Sequence, residues 1–142
     1  MTSIEWLDHT ADVGFRATGE SIEDAFNEAA EALFSLMFEL EDIRPVTEHC
    51  VEVSARSRSE LLVEWLSELL AQKELSGLVF SQFEVAIAGN EVNGFSAVGR
   101  AFGERLDRER HRIATEVKGI SYLGLDVYQR GEIWVVQVVV DV

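Results

Sequence analysis

Residues 133–140 of this 142-residue chain read Ile-Trp-Val-Val-Gln-Val-Val-Val, apolar and mostly β-branched on both alternating faces. A strand apolar on one face needs one covering layer; a strand apolar on both needs two. The segment predicts a central strand, and it obliges the rest of the chain to supply elements for both of its sides. It is interrupted at Gln137 and falls far short of the ~20 apolar residues that span a bilayer, so no membrane segment is expected.

Two helices answer part of that demand. Ser21 reads as an N-cap, with Glu23 and Asp24 favourable in the first turn. Ile22, Ala25, Phe26, Ala29, Ala30, Leu33, Phe34 and Met37 then recur at the spacing of one buried helical face. Pro45 marks the exit from that region. Ser57-Arg58-Ser59-Glu60 has the form of a capping box and opens a second helix, with Leu62, Trp65, Leu66, Leu69 and Leu70 along its inner stripe.

The remainder reads as strands. Residues 2–7 predict an edge strand paired with 13–18, and His49, Val51, Val53 and Ala55 alternate as a half-buried strand. Phe83, Val85 and Ile87 alternate, and Gly89-Asn90 is a turn signal joining them to a strand over 92–102. Ile113, Thr115 and Val117 predict another strand, and Gly119 and Gly124 flank a short one leading to Val127. No regular strand–helix alternation follows residue 75. The expected class is α+β: one domain over residues 1–142, an α/β/β layered sandwich with two amphipathic helices packed on mainly antiparallel or mixed sheets.

Charge and cysteine content narrow the function. A single cysteine, Cys50, excludes an internal disulfide and a Cys-rich zinc site. The first residues show neither a basic nor an apolar leader pattern, and a cytoplasmic protein is expected. The net charge is −14, and residues 1–74 hold 17 acidic and 5 basic side chains of it. Such a chain repels a phosphate backbone, so autonomous nucleic-acid binding is not expected; a cation or a basic protein surface is the better partner.

The densest chemistry lies in Asp8-His9-Thr10-Ala11-Asp12-Val13-Gly14. Two carboxylates and an imidazole within five positions repel and perturb one another unless a cation or hydrogen-bond donors compensate them. Asp141 and the carboxylate of Val142 finish the apolar strand at the other end. If the two ends meet, they form an oxygen-rich site suited to a hard divalent ion. A turn built on Asp and Thr side chains is the competing reading. Residues 104–112 hold four arginines, one histidine and three acids, either a solvated loop or a phosphate- or partner-facing patch. Lys118 either reaches solvent or neutralises the carboxylates.

These residues resemble the archease family. The heptapeptide 8–14 with Glu5 before it, Leu61-Leu62-Val63-Glu64-Trp65-Leu66, Gly103-Glu104 ahead of His111, Val117-Lys118, Gly124-Leu125 and the ending Val139-Val140-Asp141-Val142 follow the family order from residue 5 to residue 142. The resemblance implies a sandwich of two helices and β-sheets. It implies a non-enzymatic activator of the RtcB-type RNA-splicing ligase, promoting metal-dependent guanylylation and multiple turnover in tRNA splicing and RNA repair. RNA and GTP would then be met only through the ligase. It implies a divalent cofactor, calcium ahead of magnesium or manganese, on Asp12, Asp141 and the Val142 carboxylate. Asp8, His9, His111 and Lys118 fall at its other signature polar positions, as candidate contacts to the ligase active site. Two positions depart: Leu123 stands where the family pattern has a histidine, and Val140 where it has Phe. The alternatives are a chaperone or modulator of RNA-modifying enzymes, which predicts a large exposed apolar patch, and a small metal-dependent phosphohydrolase, which predicts nucleotide turnover by the chain alone.

Overall fold

Two serines start the helices. In the computed structural model, described over residues 2–7 and 12–142, Ser21 Oγ accepts the Asp24 N–H at 3.0 Å and opens helix α1, Ile22–Met37. Ser57 Oγ accepts the Glu60 N–H at 3.1 Å and opens α2, Arg58–Ser76. Each bond satisfies a main-chain donor that a helix start otherwise leaves without a partner.

Seven strands form two antiparallel sheets. The first contains β1 (Ser3–Leu7), β2 (Asp12–Gly19), β6 (Gly119–Arg130) and β7 (Ile133–Asp141), in the order β1-β2-β7-β6. The second contains β3 (Thr47–Ala55), β4 (Leu78–Asn90) and β5 (Gly94–Arg105), in the order β3-β5-β4. Both helices touch both sheets: α1 packs on β2, β7 and β4, and α2 on β6, β3 and β5. The expected sandwich of two helices and two sheets is what forms.

The apolar strand is internal, as its composition requires. Val136, Val138 and Val140 of β7 join Phe15 and Ala17 of β2 in the core, while Val135 and Val139 are buried on the opposite face. From the second sheet Val79, Phe80, Phe83, Phe95, Ala97 and Ala101 enter the same core, and Phe34 of α1 meets Phe80 and Phe83 at ring distances of 5.6 Å. Burying each of these valines and phenylalanines contributes about 1.5–3 kcal/mol. Trp65 of α2 is fully buried, and its Nε1–H donates to the Phe26 carbonyl of α1 at 3.2 Å. Its ring lies against Gly99 of β5, where an added Cβ would stand 2.8 Å from the ring. Only glycine admits the indole that closely.

Three expectations change. The alternation Ile113, Thr115, Val117 is not a strand; residues 106–118 are irregular, because their main-chain donors go elsewhere. Ala114 N–H bonds the Met37 carbonyl at 2.8 Å and Lys118 N–H the Asp141 carbonyl at 2.8 Å, which ties the segment to the end of α1 and to β7 instead of to a sheet edge. The β4–β5 turn falls at residues 91–93, one step beyond Gly89-Asn90, with Asn90 Oδ1 accepting the Val92 and Asn93 N–H groups. The glycine-flanked short strand is one long strand, β6, whose register against β7 breaks between Ser121 and Asp126.

Candidate functional site

Asp12 opens β2 and Asp141 closes β7, and the sheet register makes them direct partners; Gly119, the first residue of β6, pairs with Asp141 from the other side. Strand alternation puts Asp12, Gly14 and Arg16 on one face with Gln137, Val139 and Asp141, opposite to the core-facing Phe15 and Val138. Directly opposed side chains carry their Cβ atoms about 4.5–5.5 Å apart. Asp12 is half-buried, Asp141 exposed, and Val142 follows immediately. The start of β2 and the end of β7 therefore do meet.

The donor set is all oxygen. Among the described residues no three Asp, Glu, His or Cys side chains stand together as metal ligands. A cation held by the Asp12–Asp141 pair would take its further oxygens from the terminal carboxylate, main-chain carbonyls and water. Oxygen donors of that kind would suit a hard ion such as Ca²⁺ or Mg²⁺. Asp8 and His9 lie outside the described residues.

Lys118 reaches the same strand end. Its N–H donates to the Asp141 carbonyl, while its exposed side chain borders a hollow of about 270 Å3 lined also by Ser67, Leu70, Ala71 and Glu74 of α2. His111 stands apart. It is 1% exposed, its ring edges onto Phe38, and both of its nitrogens are engaged. The Asp107 N–H donates to Nδ1 at 2.9 Å, so the ring proton sits on Nε2, 2.9 Å from Glu104 Oε2. The ring braces the 106–118 segment from inside and presents no face to a partner.

Glu104 is the hub of that brace. Its carboxylate accepts from the Arg110 guanidinium at 2.5 Å, from the Arg44 N–H at 2.7 Å and from His111. Arg110 also donates to the Asp42 carbonyl at 2.7 Å. The Arg110 hydrogen bond above all, helped by Arg44 and His111 and opposed by burial, holds the Glu104 carboxyl down at about 2. Within the charged stretch 104–112, these side chains form a structural clasp, whereas Arg108 and Arg112 are exposed.

A second set of residues carries no sequence signal beyond its alternation. Arg16 donates to Glu5 of β1 at 2.9 Å and to Gln137 Oε1 of β7 at 2.7 Å, so one guanidinium clamps three strands on the acidic face. Gln137 in turn donates to the Gly124 carbonyl at 2.9 Å. That bond holds the irregular part of β6 over Val139, where Gly124 has φ +79° and an added Cβ would stand 2.9 Å from Val139 Cγ2. The segment leaves Tyr122 65% and Leu123 81% exposed, just past Ser121, where the register with β7 breaks. Counting by twos from Asp12 and back from Asp141 is the one sequence cue that reaches Arg16 and Gln137.

Comparison with known proteins places these features in a family. Residues 5–142 match the Archease protein family (MTH1598/TM1083). The chain is 38% identical to a protein archease of Methanosarcina mazei over 97% of this chain and 94% of the relative. It is 39% identical to that of Methanopyrus kandleri, over 96% and 97%. The solution structure of protein 1598 from Methanobacterium thermoautotrophicum superimposes with a TM-score of 0.86 at 31% identity, covering 98% of both chains. A crystal structure from Thermotoga maritima, described as an archease and possible chaperone, gives 0.60 at 19% identity over 96% and 94%, a likeness of fold.

Proposed function

Since the chain belongs to the archease family, we propose that it acts as a protein activator of an RtcB-type RNA-splicing ligase rather than as a catalyst in its own right. One observation carries the reading: Asp12 and Asp141, 129 residues apart in the chain, are held in register on one face of a strand end, where the Lys118 N–H bonds the Asp141 carbonyl. Asp12, Asp141 and the Val142 carboxylate would hold a divalent ion, calcium first, and bound there it would supply positive charge beside a nucleotide triphosphate. The chain's own residues do the rest. The paired aspartates keep their carboxylates pointing outward from a rigid sheet, and Arg16, tying β1 to β7, fixes the spacing of that edge. Lys118 anchors that end through its main-chain N–H, while its side chain lies on the α2 side of the sheet, where it would meet the partner from the neighbouring face. Such preorganised charge lowers the barrier to nucleotidyl transfer without reorganisation at the moment of reaction.

Among the described residues the exposed large apolar side chains, Trp6, Leu75, Val98 and the Tyr122–Leu123 pair among them, are spread over several elements, which does not favour the chaperone alternative. A phosphohydrolase would turn over nucleotide without the ligase. The deciding measurement is RNA ligation by the ligase of the same source, with ligase limiting. The wild-type chain is expected to carry the reaction past one product per ligase, and Asp12→Ala and Asp141→Ala variants, shown folded by circular dichroism, are expected to lose that effect. Normal activation by both variants would remove the carboxylates from the mechanism. No effect of the wild-type chain would remove the activator reading itself.

A further inference from the structure

The second sheet ends in a strand with one open side. β3 hydrogen-bonds to β5 alone, and its outer main-chain edge has no strand partner among the described residues. Proteins usually blunt such an edge with proline, lysine or a bulge. The nine residues of β3 contain neither Pro nor Lys, and its register against β5 runs unbroken from Thr47–Gly103 to Ala55–Phe95. Beside this edge lies a hollow of about 560 Å3, walled by Glu52, Val53 and Ser54 of β3, Ser96 of β5, and Glu64 and Glu68 of α2.

The charged side chains that wall it, Glu52, Glu64 and Glu68, are all acidic. Glu60, Glu64 and Glu68 repeat at i, i+4 along α2, a like-charge arrangement that weakens a helix. Gln72 donates to Glu68, and among the described residues no Lys or Arg forms an ion pair with Glu52, Glu60, Glu64 or Glu68. An open strand edge supplies main-chain donors and acceptors, and the glutamates supply the sign of the side chains that would flank an added strand.

We propose that β3 is a docking edge for an extended basic segment of another protein, which adds to the second sheet by main-chain hydrogen bonds and sets Lys or Arg side chains against Glu52, Glu64 and Glu68. A second copy of this chain is the wrong occupant. β3 carries Glu48 and Glu52 and no Lys or Arg, so two such edges would oppose glutamate to glutamate. The proposal stands apart from the ligase reading, which concerns the first sheet.

The test uses the full chain and two synthetic peptides of equal charge: a nonapeptide alternating Lys with Val, and its counterpart with Pro in place of Val, which cannot form a strand ladder. The Lys-Val peptide is expected to slow amide exchange within residues 47–55 and to bind about tenfold more tightly than the proline peptide, a difference of about 1.4 kcal/mol. A Glu64→Gln/Glu68→Gln double variant, melting at or above the wild-type temperature, is expected to weaken it by about fivefold, or about 1 kcal/mol. Equal binding of the two peptides would reduce the effect to charge attraction and overturn the proposal. So would protection centred on another strand edge, or protection of residues 47–55 without peptide that grows with protein concentration.

Discussion

A carboxylate set directly opposite another across a strand pair costs stability, and the Asp12–Asp141 pairing keeps that cost in the resting protein. Asp141→Asn should therefore melt at or above the wild-type temperature in a chelator, by up to about 1 kcal/mol. With Ca²⁺ at 100 times its Kd the wild type should gain about 2.7 kcal/mol, and the variant should lose most of that gain; scanning calorimetry with and without the ion reads both. Glu104 works in the opposite sense. Its folded carboxyl titrates near 2 against an ordinary 4.5, so its contribution is complete above pH 4.5 and is lost as the pH falls through about 2. Glu104→Gln should destabilise the protein at pH 7 by about 1.5–3 kcal/mol and flatten the acid limb of the melting-temperature profile between pH 4.5 and 2. The sequence singles out His111 but not this role. The groups that bury and orient it, Phe38 and Glu104, are set by folding and not by a local pattern.

Among the elements, the helices were legible because a 3.6-residue apolar period with a serine cap has few other interpretations. Both form where the pattern places them. The Ile113–Val117 alternation was misleading because five residues suffice to mimic a strand, while a loop need only bury one side chain, here Val117, to satisfy the same pattern. What decides is where the main-chain groups bond, and Met37 and Asp141 are too distant in sequence to be foreseen as acceptors. The break in β6 is a second case: Gly124 signalled a special backbone, but not that the strand continues on either side of it. Gly124→Ala must place a Cβ at positive φ and against Val139. It should cost about 1–2 kcal/mol in urea unfolding and speed amide exchange at Leu123–Leu125 more than in α1.

At the scale of the whole molecule, a net charge of −14 on 142 residues sets the chain against itself. Raising KCl from 0.01 to 0.15 M shortens the screening length from about 30 Å to about 8 Å. The melting temperature should rise by roughly 3 °C for each 1 kcal/mol so recovered. The sandwich class was readable from element content, and so was the inner position of β7. The order β1-β2-β7-β6 was not, because no local pattern states that the two ends of the chain lie side by side. That order has a consequence for biosynthesis. β7 is the last of the described strands to leave the ribosome, yet it is the one that joins β2 to β6. Once Gly19 completes it, the β1–β2 hairpin must wait while the residues up to Asp141 are translated, on the order of 10 s at common elongation rates. Until then it exposes the edge that β7 will fill. The acidic pair is therefore a timing mark as well as a site, since Asp12 acquires its partner only when β7 has been translated.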